Sequence, residues 1–396
     1  MKLDRLSIAL VSALSLALGC DEDLHDDASP AKGGEDAASY DEMASALQAG
    51  LDELRAQGIS GALAELNDGG RRATARSGVA RLDDERPIDQ DGYFRMGSNT
   101  KTFVAVVLLQ LAGEGVLALD DAVDRWLPGV VSGNGNDGKQ ITLRQLLQHT
   151  SGLYNFTNDL PALFTAEEFL ARRFDRTTPE ELVAIALRHE PSFAPGAGWE
   201  YSNTNYVLAG MAIERATGND WRSEVRARIT APLGLERTFD PGDEPGLPEP
   251  HARGYELFGQ GAELLDVTDM SQSWADAAGS LVTTAADLST FWRELEGGAL
   301  LGPEQMAELH RTVPAPPFEA LWPGIRYGLG IMWVPTTCGG GYWSHGGDTL
   351  GFATRNATSE GGSRVVVISL STQRGDTAPT SIETTLRLLD DLMCAD

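Results

Sequence analysis

Residues 94–103 read FRMGSNTKTF. An extended piece ends at Gly97, and a helical pattern runs on over 99–115. Ser98 and Lys101 stand at i and i+3, so they share a face of the first turn. The patterning differs on the two sides of this stretch. Upstream, residues 40–58 place Met43, Leu47, Leu51 and Leu54 at helical spacing, and Gly58 stops that helix. The runs 59–67 (ISGALAELN) and 71–80 (RRATARSGVA) then flank Asp68-Gly69-Gly70, a hairpin signal. Downstream, helical patterns follow at 142–149, 178–189, 203–217, 285–296 and 303–311. Beyond residue 325 the alternation returns to strands: YGLGIMWVP, GYWSH, LGFATRNAT and RVVVISLST. An amphipathic helix over 379–393 closes the chain. This order predicts an α+β fold (an α/β sandwich): a mixed, mainly antiparallel sheet built from both chain ends and flanked by helices. A large helical subdomain, about 98–312, is inserted within a catalytic domain of 40–396. Clefts between such lobes commonly house chemistry.

Composition narrows the function classes. The chain has 396 residues, of which 42% are apolar. That suits two or three domains, or one large enzyme domain with an insertion, at roughly 150 residues per domain. The formal charge is −27. Phosphate binding needs basic patches, so no nucleic-acid partner is expected. Only the N-terminus carries an apolar run approaching membrane length, which rules out a polytopic membrane protein.

That run is MKLDRLSIALVSALSLALGC, residues 1–20. Lys2 and Arg5 precede the apolar stretch Leu6–Leu18, which has the length of a signal h-region. Residues 1–19 are therefore read as a signal peptide. Ala17-Leu18-Gly19-Cys20 resembles a lipobox, making Cys20 a lipidation site; ordinary cleavage after Gly19 also fits the small-residue rule. Residues 20–39 are acidic and nearly free of large apolar side chains, so they read as a disordered tether. The expected location is outside a bacterial cytoplasm, as a membrane-anchored lipoprotein or otherwise secreted, with the membrane met only through that lipid. In such a compartment Cys338 and Cys394 are expected to pair. No Cys/His spacing resembles a metal site, and no cofactor is called for.

The chemistry centres on Ser98 and Lys101. A serine hydroxyl becomes a nucleophile when a nearby base takes its proton, and a lysine amine can do so if burial lowers its pKa. The chain has only four lysines, at 2, 32, 101 and 139, among 31 basic residues. A second S-x-x-K, Ser29 to Lys32, has a proline inside it and lies in the tether, so it reads as coincidence. Two further clusters follow in order: Tyr201-Ser202-Asn203 at the start of a helical pattern, and His345-Gly346-Gly347-Asp348 at the end of a strand.

With S-x-x-K, Y-x-N and H-x-G in that order, the chain resembles the serine β-lactamase and penicillin-binding protein family, on the branch of class C β-lactamases and D-alanyl-D-alanine carboxypeptidases. The likeness spans about residues 40–394 and includes LLQHTSGLYNFTND at 146–159 and HGGDTLGF at 345–352. It implies an acyl-enzyme mechanism. Ser98 would be the nucleophile, and Lys101 and Tyr201 would share proton transfer. Asn203 would hold a substrate amide oxygen. His345, Gly346, Gly347, Asp348 and Trp274 would meet substrate, with His345 a titratable group near Tyr201. The backbone N–H groups of Ser98 and Asp348 would form an oxyanion hole. His149 reads as structural, helping to end a helix. The implied activity is a D-alanyl-D-alanine carboxypeptidase acting on peptidoglycan-type peptides, with an esterase or β-lactam hydrolase as the alternative. The substrate would be a small peptide, ester or β-lactam, met by a monomer. A silent binding or sensor protein would be expected to lose the nucleophile or base, and both are present.

One departure matters. Carboxypeptidase and β-lactam substrates present a carboxylate near the third motif, where Asp348 stands and would repel it. Arg355 and Arg326, on neighbouring strands, are the candidates to offset that charge.

Overall fold

The computed structural model describes residues 35–259, 262–373 and 379–395. The expected signal peptide, Cys20 and most of the tether lie outside the described residues. The first helix begins at Glu35 and ends at Ala56, so residues 35–39, read as tether, belong to it.

A nine-stranded antiparallel sheet forms the backbone of the molecule. Its spatial order runs 71–78, 61–68, 364–370, 352–358, 341–344, 332–335, 326–327 and 313–314, and the short strand 347–349 pairs with 352–358. Both chain ends therefore meet in one sheet. Arg364–Leu370 sits between Gly61–Asp68 and Phe352–Thr358. The hairpin turns on Gly69 and Gly70, both at positive φ, as a tight two-residue connection requires.

Alternation along the central strands builds two cores. Val365 and Val367 face the helical half. Val366, Ile368 and Leu370 face the first and last helices, where they meet Leu47, Leu51, Leu54, Leu388 and Leu392. The disulfide Cys338–Cys394 joins the turn after Met332–Pro335 to the end of the helix Pro379–Cys394.

On the other face, the helix Thr100–Gly113 is buried nearly all round, with Phe103 to Leu109 fully inaccessible. It therefore reads as apolar on every side rather than on one stripe. The inserted region is less helical than its length promised. Residues 234–275 carry no helix among those described, and this stretch contributes a small sheet in which Tyr255–Glu256 pairs with Leu265–Asp266 and Thr372–Gln373. Pro and Gly punctuate 241–254, and the chain there is held by side-chain bonds instead. The fully buried Arg95 donates to the carbonyls of Pro245 and Thr268.

Glu256 of this small sheet is buried and accepts from the Gly351 N–H at 2.9 Å. Burial raises its carboxyl to about 7; the Gly351 bond opposes the shift and Asp348 adds to it. The folded protein thus holds more protons than the unfolded chain between about pH 4.5 and 7, so this group's contribution to stability falls as pH rises through that window. Glu256→Gln keeps an acceptor and removes the charge. Urea unfolding should find the variant more stable than wild type at pH 8, by up to about 3 kcal/mol, and nearly equal at pH 4.5. Equal midpoints at both pH values would mean that Glu256 ionises freely.

Candidate active site

The Ser98 turn comes first. Gly97–Asn99 forms a single 3₁₀ turn that runs into the helix Thr100–Gly113. Gly97 has φ +52°, and a Cβ there would stand 2.9 Å from the Asp348 nitrogen. A Cβ on Gly347 would stand 1.9 Å from the Met96 carbonyl and 3.1 Å from the Ser98 nitrogen. Glycine at 97 and 347 therefore lets the Ser98 turn and the strand Gly347–Thr349 touch backbone to backbone. This close approach brings the N–H groups of Ser98 and Asp348 beside each other.

Lys101 is fully buried beneath Ser98. Its Nζ lies 2.9 Å from Ser98 Oγ, 2.7 Å from Asn203 Oδ1 and 2.7 Å from the Ala278 carbonyl. Burial drives the amine well below its ordinary pKa. A neutral amine has two N–H donors and one lone pair. The two carbonyl-type oxygens can only accept, so the lone pair is what remains for the Ser98 hydroxyl.

Tyr201 ends the extended segment before the helix Asn203–Thr217. Its ring centroid lies 4.9 Å from Lys101 Nζ. Burial pushes the phenol above its usual range; the hydrogen bond with Ser98 opposes that shift, and Asp348 adds to it. Asn203 opens the helix. Its N–H donates to Asn155 Oδ1 at 3.0 Å, and its side chain receives Lys101. Ser98, Lys101, Tyr201 and Asn203 thus converge from two separate segments.

Above them lies a cleft of about 300 Å³, lined by Ser98, Phe156, Thr157, Asn203, Trp274, Ala275, Ala278, Gly279, Asp348 and Thr349. Trp274 stands in its wall as expected from sequence. Among the lining residues the only charged one is Asp348.

Three expectations change. His345 is 2% exposed and does not line the cleft. Its Nε2 lies 2.9 Å from the Tyr327 hydroxyl, and its ring centroid is 6.4 Å from that of Tyr201. Burial, then the nearby Lys101, lowers it to about 3, with the Gly346 carbonyl opposing. It is therefore a neutral buried group near pH 7, not a titrating one. Gly346 and Gly347 also stand outside the lining, and Gly347 serves the backbone approach instead. Asp348 reaches the cleft, but its carboxylate is held by Arg355 Nη2 at 2.8 Å and Gln373 Nε2 at 2.6 Å, which offsets the expected repulsion. Arg326 plays no part in this: it donates to Thr312 Oγ1 and the Thr312 carbonyl.

His149 is the residue whose reach sequence reasoning missed. It does follow a helix end, at φ +61°. It is also fully buried within the site. Its Nδ1 accepts from the Ser202 N–H at 3.2 Å and lies 3.1 Å from Asn205 Nδ2. Its carbonyl accepts from the Glu200 N–H. This one side chain and its backbone thereby fix the segment that carries Tyr201 and Asn203. Tyr327, the partner of His345, gave no sequence signal either, being one aromatic in a strand.

The chain matches the Beta-lactamase family over residues 43–391. Among solved structures it resembles a D-stereospecific amidohydrolase from Streptomyces sp., with TM-score 0.79 and 41% identity over 86% of this chain and 97% of that one. It is 37% identical to esterase EstB of Burkholderia gladioli over half of its own length and 51% of that protein. It is 31% identical to penicillin-binding protein 4* of Bacillus subtilis over 41% of its length and 33% of that protein. The chain thus spans between a third and about half of these two curated relatives.

Proposed function

We propose, starting from a chain that belongs to the beta-lactamase family of serine hydrolases, that it is exported and cleaves amides and esters whose leaving side carries no carboxylate. D-aminoacyl amides are the preferred class. Ser98 attacks the carbonyl. Lys101, neutral and aimed at the hydroxyl, takes the proton. Tyr201, protonated at neutral pH, passes a proton to the leaving group. The N–H groups of Ser98 and Asp348 receive the developing oxyanion, and Asn203 holds an amide of the substrate. Water then attacks the acyl carbon and gives its proton to the Tyr201 phenolate, Lys101 returns its proton to Ser98 as the acyl group leaves as the acid, and a monomer suffices for every step.

The observation that carries this reading is the charge of the cleft. A peptide carboxylate or a β-lactam carboxylate needs a cation, and the lining offers only Asp348, with Arg355 already committed to it. The D-stereospecific amidohydrolase likeness supports the same substrate class, whereas the strict carboxypeptidase reading needs a carboxylate site. Kinetics on D-phenylalanine amide, D-Ala-D-Ala peptides and nitrophenyl esters test it. The amide and the esters should exceed the free-acid peptide by at least tenfold in kcat/KM, equivalent to about 1.4 kcal/mol. A peptide turned over better than its own C-terminal amide would overturn the assignment and restore the carboxypeptidase.

A further inference from the structure

A second cleft, of about 910 Å³, lies beside the first and is lined by Leu160, Leu163, Phe169, Ile185, Met270 and Leu350, among others. Trp274 lines both clefts. Three chain segments run from one into the other. Phe156 and Thr157 wall the nucleophile cleft, and Asp159–Leu163 wall the second. Ala275 faces the first, and Met270 and Ser271 face the second. Asp348 and Thr349 border Ser98, and Leu350 borders the second cleft. The two are therefore successive parts of one groove with Trp274 between them.

Most of the charge at the second cleft is paired internally. Arg172 is paired with Glu168 at 2.7 Å and Asp175 at 3.8 Å. Asp159 is paired with His189 at 2.6 Å and receives the Tyr154 hydroxyl at 3.0 Å. The Arg173 guanidinium stands 4.7 Å over the Phe174 ring. The surface thus offers mostly apolar side chains, with Arg173 the lining charge that has no ion-pair partner among the described residues. Nearby in sequence, Phe164, Leu170 and Phe174 are 53, 51 and 54% exposed, among the few large apolar side chains left so open in the described structure. A solvent-facing apolar groove of this kind marks a binding site.

We propose that this second cleft binds a bulky apolar group, alkyl or aromatic, on the acyl side of the substrate. The assignment rests on the acyl-transfer reading above. The acyl side is chosen because Trp274 lines both clefts and the Phe156–Thr157 wall of the nucleophile cleft continues in sequence into Asp159–Leu163 of the second, while Asn203, assigned above to the substrate amide, lines the nucleophile cleft with them. An acyl chain that passes Trp274 enters the apolar groove.

The test is the ratio of kcat/KM for nitrophenyl octanoate to that for nitrophenyl butyrate, measured within each variant of the full chain so that a general loss of folding or of the nucleophile cancels. Each fully buried methylene is worth roughly fourfold. Wild type should therefore favour octanoate by at least about tenfold. Leu163→Asp and Ile185→Asp, on two different walls, should each bring the ratio to within about threefold of one. A flat wild-type series, or variants that keep the octanoate advantage, would overturn the proposal and leave the hydrolase reading standing. A second arm needs no turnover: calorimetry of octanamide and butyramide on Ser98→Ala. Octanamide should bind tighter, and Leu163→Asp should remove the difference. That result with no ester hydrolysed by wild type would keep the cleft and remove the hydrolase reading. Equal binding of the two amides would sink the cleft.

Discussion

Ser98→Ala is expected to lose covalent labelling by a fluorophosphonate probe and to lower amide and ester hydrolysis by at least about 10⁴-fold. The substitution removes one oxygen from a half-buried position and leaves the 3₁₀ turn intact. The backbone N–H at 98 remains, so the proposed oxyanion pair and the cleft survive. What disappears is the bond to the acyl carbon, without which no acyl-enzyme forms. Intact-protein mass spectrometry after incubation with the probe reads the adduct directly. Wild type should gain one probe mass on the 98–101 peptide, and the variant none. Labelling of the variant at the wild-type rate would place the nucleophile elsewhere.

Lys101→Arg should lower kcat by about 10²–10⁴-fold while leaving KM less changed. Arginine keeps a positive charge and cannot be deprotonated in a protein. It also cannot put a single nitrogen at once within 2.7–2.9 Å of Ser98 Oγ, Asn203 Oδ1 and the Ala278 carbonyl, as Lys101 does. The pH profile distinguishes a base from a spacer. The buried amine sits well below its ordinary pKa, so if it is the base wild-type kcat/KM should fall on the acid side, as pH drops through that lowered value. The variant should lack this limb. A variant with wild-type kcat and an unchanged acid limb would show that Tyr201 or water takes the Ser98 proton. Circular dichroism and thermal unfolding separate loss of chemistry from loss of fold, since the helix Thr100–Gly113 runs through the core.

Much of the architecture was legible because its signals are local. Residues 203–217 and 285–296 form helices at the limits their periodicity predicts, and the strands at 61–68 and 364–370 follow from alternation and β-branched runs. The stretch 234–275 was not legible in this way. Its order comes from buried side-chain bonds, such as Arg95 to the Pro245 and Thr268 carbonyls, whose partners lie 150 and 173 residues away. The three short motifs were visible for a related reason. Ser98 and Lys101 are joined by helix geometry, and Tyr201 and Asn203 by two residues of spacing.

What the sequence by itself determined is therefore the sheet made from both chain ends, the helices between them, and the set Ser98, Lys101, Tyr201 and Asn203. Only the tertiary structure decided protonation, orientation and reach. The Lys101 amine sits well below its ordinary pKa because packing removes its water, and His345 is neutral because it is buried near Lys101 and against Tyr327. Asp348 is compensated because adjacent strands set Arg355 beside it. His149 belongs to the site because it accepts from Ser202, 53 residues along the chain. Desolvation and charge pairing depend on distances in space between segments far apart in sequence, and no local period encodes those distances.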